Sequence, residues 1–408
     1  MIRALIDVSS IPAHPDKRTG LARVAIGLSQ ALARRPDVCI STCAWGSLAA
    51  SHDFAVVREE FPELHGVQPR ANAWERFCVE RQRGSATSRG WSASFWHRTS
   101  QVTNRLRNPV RGISLKDFDV IHSTYAALPR VVRKSGRPNV LTLHDIMPLV
   151  SPQLLFPTEY AGIMRRIVGS ICSDDWIACV SEWTRSDFVS LTGHSPERVI
   201  VIHNGVDHSV FQPCGDTKAI ATTKARLGIG DGPFVLSLSS LAPHKNLRLL
   251  LDAWGRDAAL ARRGTLVIAG GRTRDTASLI NALGISARPS NVLVTGHVSD
   301  TEFRHLASSC QAFLFPSLYE GFGLPVLEAM ACGAPIIASD ATSLPEVVGD
   351  AGILLPPEDV DAWGAAMKDC LDRPVRRDPD SRALQRAAAF SWDRAADAYV
   401  RLYRRAMA

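Results

Sequence analysis

The sequence predicts an α/β chain of two doubly wound halves, each a parallel sheet covered by helices on both faces, with a cleft between them. Three observations carry this. Short, continuous apolar runs of strand length alternate with longer helix-forming segments along the 408 residues, as expected for parallel strands buried on both faces. The series occurs twice, separated by an Asn-Gly turn in His203-Asn204-Gly205-Val206-Asp207 and by a polar stretch from Pro213 to Gly232. The length suits two or three ordinary domains, and 46% apolar with 21% charged residues is a globular composition.

Taken in order, Ala4 to Val8 is the first buried strand. A loop containing Pro12, Pro15 and Lys17 leads through Thr19-Gly20-Leu21-Ala22-Arg23 into an amphipathic helix, Leu21 to Leu32. Val120 to His122 and Val140 to His144 are strands, as are Trp176 to Val180 and Val199 to Ile202, with Ser181 opening a helix through Val189. In the second half, Phe234 to Leu238 precedes a helix from Asn246 to Trp254. Thr265 to Ala269 ends in Gly270-Gly271, Val292 to Val294 ends at Gly296, and Ala312 to Phe315 is the last strand of the series. Phe390 to Tyr403 closes the chain as an amphipathic helix. The units expected are residues 1–205 with an insertion at 68–112, residues 206–389, and a terminal helix at 390–408. Ligands of such sheets bind beyond the carboxyl ends of the strands, so His122, His144 and Asp145 fall at strand ends of the first half.

Whole-chain features narrow the class. No window reaches the length of a membrane-spanning helix, and the opening MIRALIDVSSIP is too short and too soon interrupted by Asp7 for a signal peptide. The nine cysteines form no C-x-x-C pair and are odd in number, which predicts free thiols in a reducing, cytoplasmic setting and no zinc site. The net charge of +7 permits anionic partners. Much of it lies between residues 70 and 111, where Arg70, Arg76, Arg81, Arg83, Arg89, Arg98, Arg105, Arg107 and Arg111 interleave with Trp74, Phe77, Trp91, Phe95 and Trp96. That composition fits an interfacial membrane patch and equally a surface insertion whose aromatics pack locally. No nucleic-acid motif accompanies it.

The most informative stretch is Glu320 to Glu328, EGFGLPVLE. It follows a strand, turns on Gly321 and Gly323, and opens a helix with Pro325 in the first turn. A glycine loop opening a helix offers free amides and a positive dipole end, which suit a phosphate. Carboxylates there repel phosphate but accept hydrogen bonds from sugar hydroxyls. Together these point to a nucleotide-sugar site.

This run resembles the E-x7-E motif of retaining glycosyltransferases of family 4. The likeness continues through Met330 to Asp340 (MACGAPIIASD) and Ser343 to Asp350 (SLPEVVGD). His144 to Leu149 (HDIMPL) and Pro243-His244-Lys245-Asn246 look like bacterial polysaccharide mannosyltransferases. The resemblance implies the GT-B architecture, two Rossmann-like domains with parallel sheets facing a central cleft, the terminal helix crossing back to the first. It implies a catalytic set of Glu320 on the transferred sugar, Lys245 on the donor diphosphate and His144 near the reacting sugar. Glu328 would bind the ribose, and Gly321, Phe322, Gly323 and Leu324 would cradle sugar and phosphate. Gly20 would let the backbone approach the donor, and His297 with Val298 would flank the nucleobase. Ser240 stands where relatives often carry arginine. Arg23, His122 and Asp145 are acceptor-side candidates, Arg23 being equally suited to a surface ion pair.

No D-x-D pair is placed as a metal motif, so neither metal nor separate cofactor is expected. The donor would be a nucleotide diphosphate sugar, first GDP-mannose. The acceptor would be a saccharide, lipid-linked, in surface polysaccharide or glycolipid synthesis, with peripheral attachment to the inner membrane face. The alternatives are a catalytically silent sugar-nucleotide-binding partner of an assembly complex and a sugar-nucleotide epimerase. A nicotinamide dehydrogenase is disfavoured, since no G-x-G-x-x-G follows the first strand of either half.

Overall fold

The structure is a computed structural model that describes residues 1–14, 19–85, 99, 102–103, 108–154, 159–238, 240–271, 275–284, 289–376 and 378–408. Among the described residues, twelve strands form two sheets of six. The first holds β1 (Ile2–Asp7), β2 (Val38–Cys43), β3 (Val120–Ser123), β4 (Asn139–Leu143), β5 (Trp176–Cys179) and β6 (Val199–Val201), in the order β2-β1-β3-β4-β5-β6. The second holds β7 (Phe234–Leu238), β8 (Thr265–Ala269), β9 (Val292–Gly296), β10 (Ala312–Phe315), β11 (Ile336–Ser339) and β12 (Gly352–Leu355), in the order β12-β11-β10-β7-β8-β9. Every pairing is parallel. This is the α/β, GT-B arrangement expected from the sequence. Three strands were not legible as such. β2 carries Cys39, Ser41 and Thr42 among its apolar residues and lies at a sheet edge. β11 sits inside the run read only as a family likeness, and β12 lies just beyond its end at Asp350.

The strand orders locate the sites. In each sheet the chain builds outward from a first strand, then returns to that strand's other side. The switch falls between β1 and β3 in the first sheet and between β7 and β10 in the second. A crevice opens at such a switch beyond the strand ends. The loop after β7 carries Lys245, and the loop after β10 carries Glu320.

The final helix, Trp392–Met407, is part of the first half's core. Its Ala395, Ala396, Tyr399, Val400, Leu402 and Tyr403 are buried with Ala4, Ile6, Val140 and Ala178 of the first sheet. The chain crosses between halves twice, side by side: Val206 pairs with Ser391 in a parallel bridge, and the Val206 amide donates to the Phe390 carbonyl at 3.4 Å. Gly205 is needed there, because a β-carbon would lie 2.2 Å from the Trp392 nitrogen.

This helix corrects the expectation for His122. The residue is fully buried inside β3, with Nδ1 2.7 Å from the Tyr403 hydroxyl and Nε2 2.8 Å from Thr142 Oγ1. Burial, helped by His144, pushes its pKa down to about 3. Its side chain points to the helix-covered face of the sheet rather than beyond the strand end, and both ring nitrogens are spent on core partners. His122 is a structural residue and not part of an acceptor site.

In the insertion, Ala73–Ser85 is a helix that leaves Trp74 and Phe77 exposed at 52% and 37%, their rings 5.8 Å apart and Arg81 over Phe77. Arg89, Trp91, Phe95, Trp96, Arg98, Arg105 and Arg107, and Pro15 and Lys17 of the first loop, lie outside the described residues. Among the described residues, no helix is long and apolar enough to cross a membrane.

Candidate active site

The loop after β10 ends at Gly323, whose φ of 106° opens the helix Leu324–Ala331 with Pro325 in its first turn. Glu320 is fixed through its backbone. Its amide donates to Thr342 Oγ1 at 3.0 Å, and the Ser343 hydroxyl donates to its carbonyl at 2.9 Å. Its carboxylate accepts from Lys245 Nζ at 2.7 Å, both side chains being mostly buried. Lys245 is presented by the short turn Pro243–Lys245 after β7. The next residue, Asn246, is left-handed, and its side-chain amide donates to the carbonyls of Pro316 and Pro357 at 3.1 and 2.7 Å. Asn246 thus ties the two loops that carry the pair.

The first half meets this pair through the turn after β4. His144 Nε2 donates to the Thr124 carbonyl at 2.8 Å. A carbonyl only accepts, so the proton sits on Nε2 and Nδ1 is the acceptor. Burial pushes the pKa of His144 down to about 4, against the pull of that hydrogen bond, so the ring is neutral near pH 7. Burial pushes Asp145 up to about 6; the Met147 amide pulls it down, Glu320 raises it and Lys245 lowers it. Those last influences place Asp145 in the field of the Glu320–Lys245 pair. Contact is close: a β-carbon on Gly321 would lie 1.7 Å from the His144 carbonyl oxygen. The Thr184 hydroxyl lies 3.4 Å from that oxygen and 3.3 Å from the Gly321 carbonyl.

A second cluster surrounds Glu328, which is 5% exposed one turn into its helix. Arg23 Nη1 lies 3.3 Å from its carboxylate, also pairs with Asp300, and stands over the Phe211 ring. Of the two expectations for Arg23, an anionic acceptor or an ion pair, the structure shows an ion pair, with Glu328 and Asp300. The reason is the approach of the helix Gly20–Ala33 to the Leu324–Ala331 helix, where a β-carbon on Gly20 would touch Leu324 at 3.5 Å. Burial pushes Glu328 up to about 7; Arg23 holds it back and Asp300 raises it. A cavity of about 680 Å³ opens here, lined by Arg23, Phe211, Leu324, Glu328, the exposed His297 and the buried Val298.

Glu328 makes a stability prediction. Folded, it keeps its proton to about pH 7, whereas its ordinary value is 4.5. The folded state therefore binds more protons in that window, and stability falls as pH rises from about 4.5 to about 7, by at most about 3 kcal/mol. Glu328→Gln keeps the shape without the charge. Its melting temperature relative to wild type is expected to rise between pH 5 and pH 8; a constant difference would contradict the burial argument.

The remaining candidates divide. The Ser240 hydroxyl accepts from the Ala242 amide at 3.4 Å in an exposed turn. Phe322 is buried, and its side chain packs on His203 and Phe390. Residues that sequence reasoning passed over are Thr342 and Ser343, which hold Glu320, Thr184, which touches the same loop from the first half, and Asp300 beside Arg23. Ser343 lay inside the family-like run; nothing in the sequence signalled Thr184 or Asp300.

A carboxylate, an ammonium and the Asp145 carboxyl thus approach one another where the His144 backbone meets Gly321, and a separate cavity opens at Glu328. That arrangement fits a donor with a sugar, a diphosphate and a nucleoside. Residues 18–210 match the family model described as Glycosyltransferase Family 4, and residues 220–389 match Glycosyl transferases group 1. The O-antigen chain mannosyltransferase B of Escherichia coli is 30% identical over 305 residues, covering 74% of this chain and 78% of that protein. The MMP alpha-(1->4)-mannosyltransferase of Mycolicibacterium hassiacum is 33% identical over 318 residues, 72% of each chain. Among solved structures, Anabaena HepE in complex with UDP shares the fold, with a TM-score of 0.62 at 19% identity, covering 98% of this chain and 99% of that one.

Proposed function

Since this chain belongs to glycosyltransferase family 4, we propose that it is a retaining hexosyltransferase that moves mannose from GDP-mannose to a saccharide acceptor, lipid-linked, in surface polysaccharide or glycolipid synthesis. The observation that carries the reading is the Lys245–Glu320 pair at the sheet's switch point, with Asp145 of the other half in its field. The mannose assignment is supported by relatives named as mannosyltransferases, and the nucleoside diphosphate by the UDP bound in HepE.

In this reading the half carrying β7–β12 holds the donor and the half carrying β1–β6 holds the acceptor. Glu320 accepts hydrogen bonds from the sugar hydroxyls, and Lys245 neutralises the diphosphate as it leaves. His144 offers its Nδ1 lone pair to a sugar hydroxyl. Glu328 takes the ribose, with Arg23 balancing its charge, and His297 and Val298 flank the base. The bond from the anomeric carbon to the phosphate oxygen breaks and a bond to the acceptor oxygen forms on the same face. The departing phosphate oxygen takes the acceptor proton, so the protein positions both sugars and stabilises the separating charges. Attachment of residues 68–112 to a membrane surface is supported by the exposed Trp74 and Phe77 beside Arg81.

The test is calorimetric titration with GDP-mannose, UDP-glucose, UDP-galactose, UDP-N-acetylglucosamine and dTDP-rhamnose, followed by transfer to a lipid-linked saccharide and assignment of the product anomer by NMR. Selective binding of GDP-mannose and an α-linked product are expected. A β-linked product, or a different donor, overturns the corresponding part of the reading.

A further inference from the structure

The halves meet at a contact that the chemistry above does not use. The helix Glu182–Thr192 of the first half is capped by Ser181, whose hydroxyl accepts from the Thr184 amide. The next two free amides, those of Glu182 and Trp183, both donate to the Glu346 carboxylate of the second half at 2.9 Å. His203 Nε2, from the segment that follows β6 into the crossing, lies 3.2 Å from the same carboxylate. A carboxylate on the first amides of a helix satisfies orphan donors and opposes the positive dipole end. Farther along this helix, Thr184 reaches the Gly321 carbonyl, and Asp187 accepts from the Tyr319 hydroxyl. One helix of the first half is therefore held at three places by the second, and two of those places flank Glu320 in sequence.

Glu346 is also joined to Glu320 from behind. It belongs to the short helix Leu344–Val348, which follows directly on Thr342 and Ser343, the residues that hold the Glu320 backbone. Arg386 braces the other side by donating to the carbonyls of Glu346 and Val347. The same rigid piece thus grips the first half with one side chain and the Glu320 loop with two others. We propose that Glu346 is a positioning residue for transfer: its carboxylate docks the Glu182–Thr192 helix and so sets the distance between Glu320 in one half and His144 in the other.

The test uses the full chain. Glu346→Gln retains the shape but loses the charge that two amides and His203 share. Steady-state transfer from GDP-mannose is expected to show kcat lowered by about 10- to 100-fold, with donor KM within about threefold of wild type. Small-angle scattering of the unliganded variant is expected to show a larger radius of gyration. Tyr319→Phe, which releases the other end of the same helix face, is expected to shift both readouts in the same direction by less. A kcat within twofold of wild type, an unchanged radius of gyration, or a rise in KM alone overturns the proposal. If Glu346→Gln fails to fold, as judged by circular dichroism, Tyr319→Phe decides by the same criteria. The scattering arm needs no substrate, so a wild type inactive on GDP-mannose would count against the donor assignment and leave the docking role to be settled by scattering.

Discussion

Glu320→Gln is expected to lower kcat for transfer by about 10²- to 10³-fold, the range found when one preorganised group is removed from an active site. Donor affinity should fall by no more than several-fold. The carboxylate is held through its backbone by Thr342 and Ser343, so the amide of the variant occupies the same place and the loss is one of charge. Two effects combine. A charge-assisted acceptor for sugar hydroxyls becomes a neutral one, and Lys245 loses the anion that lies 2.7 Å from it. In the proposed reading the nucleoside and ribose contacts lie elsewhere, around Glu328 and the cavity beside it, which is why binding should outlast turnover. Single-turnover kinetics with calorimetry on the same preparation separates the two. A loss of affinity with kcat unchanged would show that Glu320 serves binding alone.

Gly321→Ala is expected to cost about 10²-fold in kcat although it adds a single methyl group. The new β-carbon would lie 1.7 Å from the His144 carbonyl oxygen, 2.7 Å from its carbon and 3.0 Å from Asp145 Cβ. Two of these neighbours are backbone atoms, which cannot swing aside as a side-chain tip does. Either the Glu320 loop or the His144 turn must retreat, and the pair then no longer faces Asp145. The check is turnover beside thermal melting: a large loss of kcat with a melting temperature within a few degrees of wild type is the expected pattern. Full activity would mean that the two halves do not need to approach this closely for transfer.

Much of this was legible in the sequence. Strands buried on both faces are written as unbroken apolar runs, so β1, β3, β4 and β7 stood out, whereas the edge strand β2 mixes polar residues into its run and did not. The Glu320–Glu328 loop was legible because its turn chemistry is local: two glycines, then a first-turn proline. His122 and Arg23 were not, and for one reason. Their partners are distant in the chain. Tyr403 is 281 positions from His122, and Asp300 is 277 positions from Arg23. A histidine at a strand end and an arginine at a helix start look the same whether they face a ligand or each other's neighbours. Glu346 shows the same limit: it could be seen as part of a family-like run, but its hold on Glu182 and Trp183 depends on how two sheets face one another.

The return of the Trp392–Met407 helix to the first sheet bears on the order of synthesis. Tyr399 and Tyr403 close the pocket around His122 and Thr142, so the half made first must wait for residues made after the second half. During translation the second half can complete its own sheet while the first still exposes an apolar face. A nascent chain released before the Trp392–Met407 helix emerges would leave that face uncovered and available to chaperones or to other nascent chains.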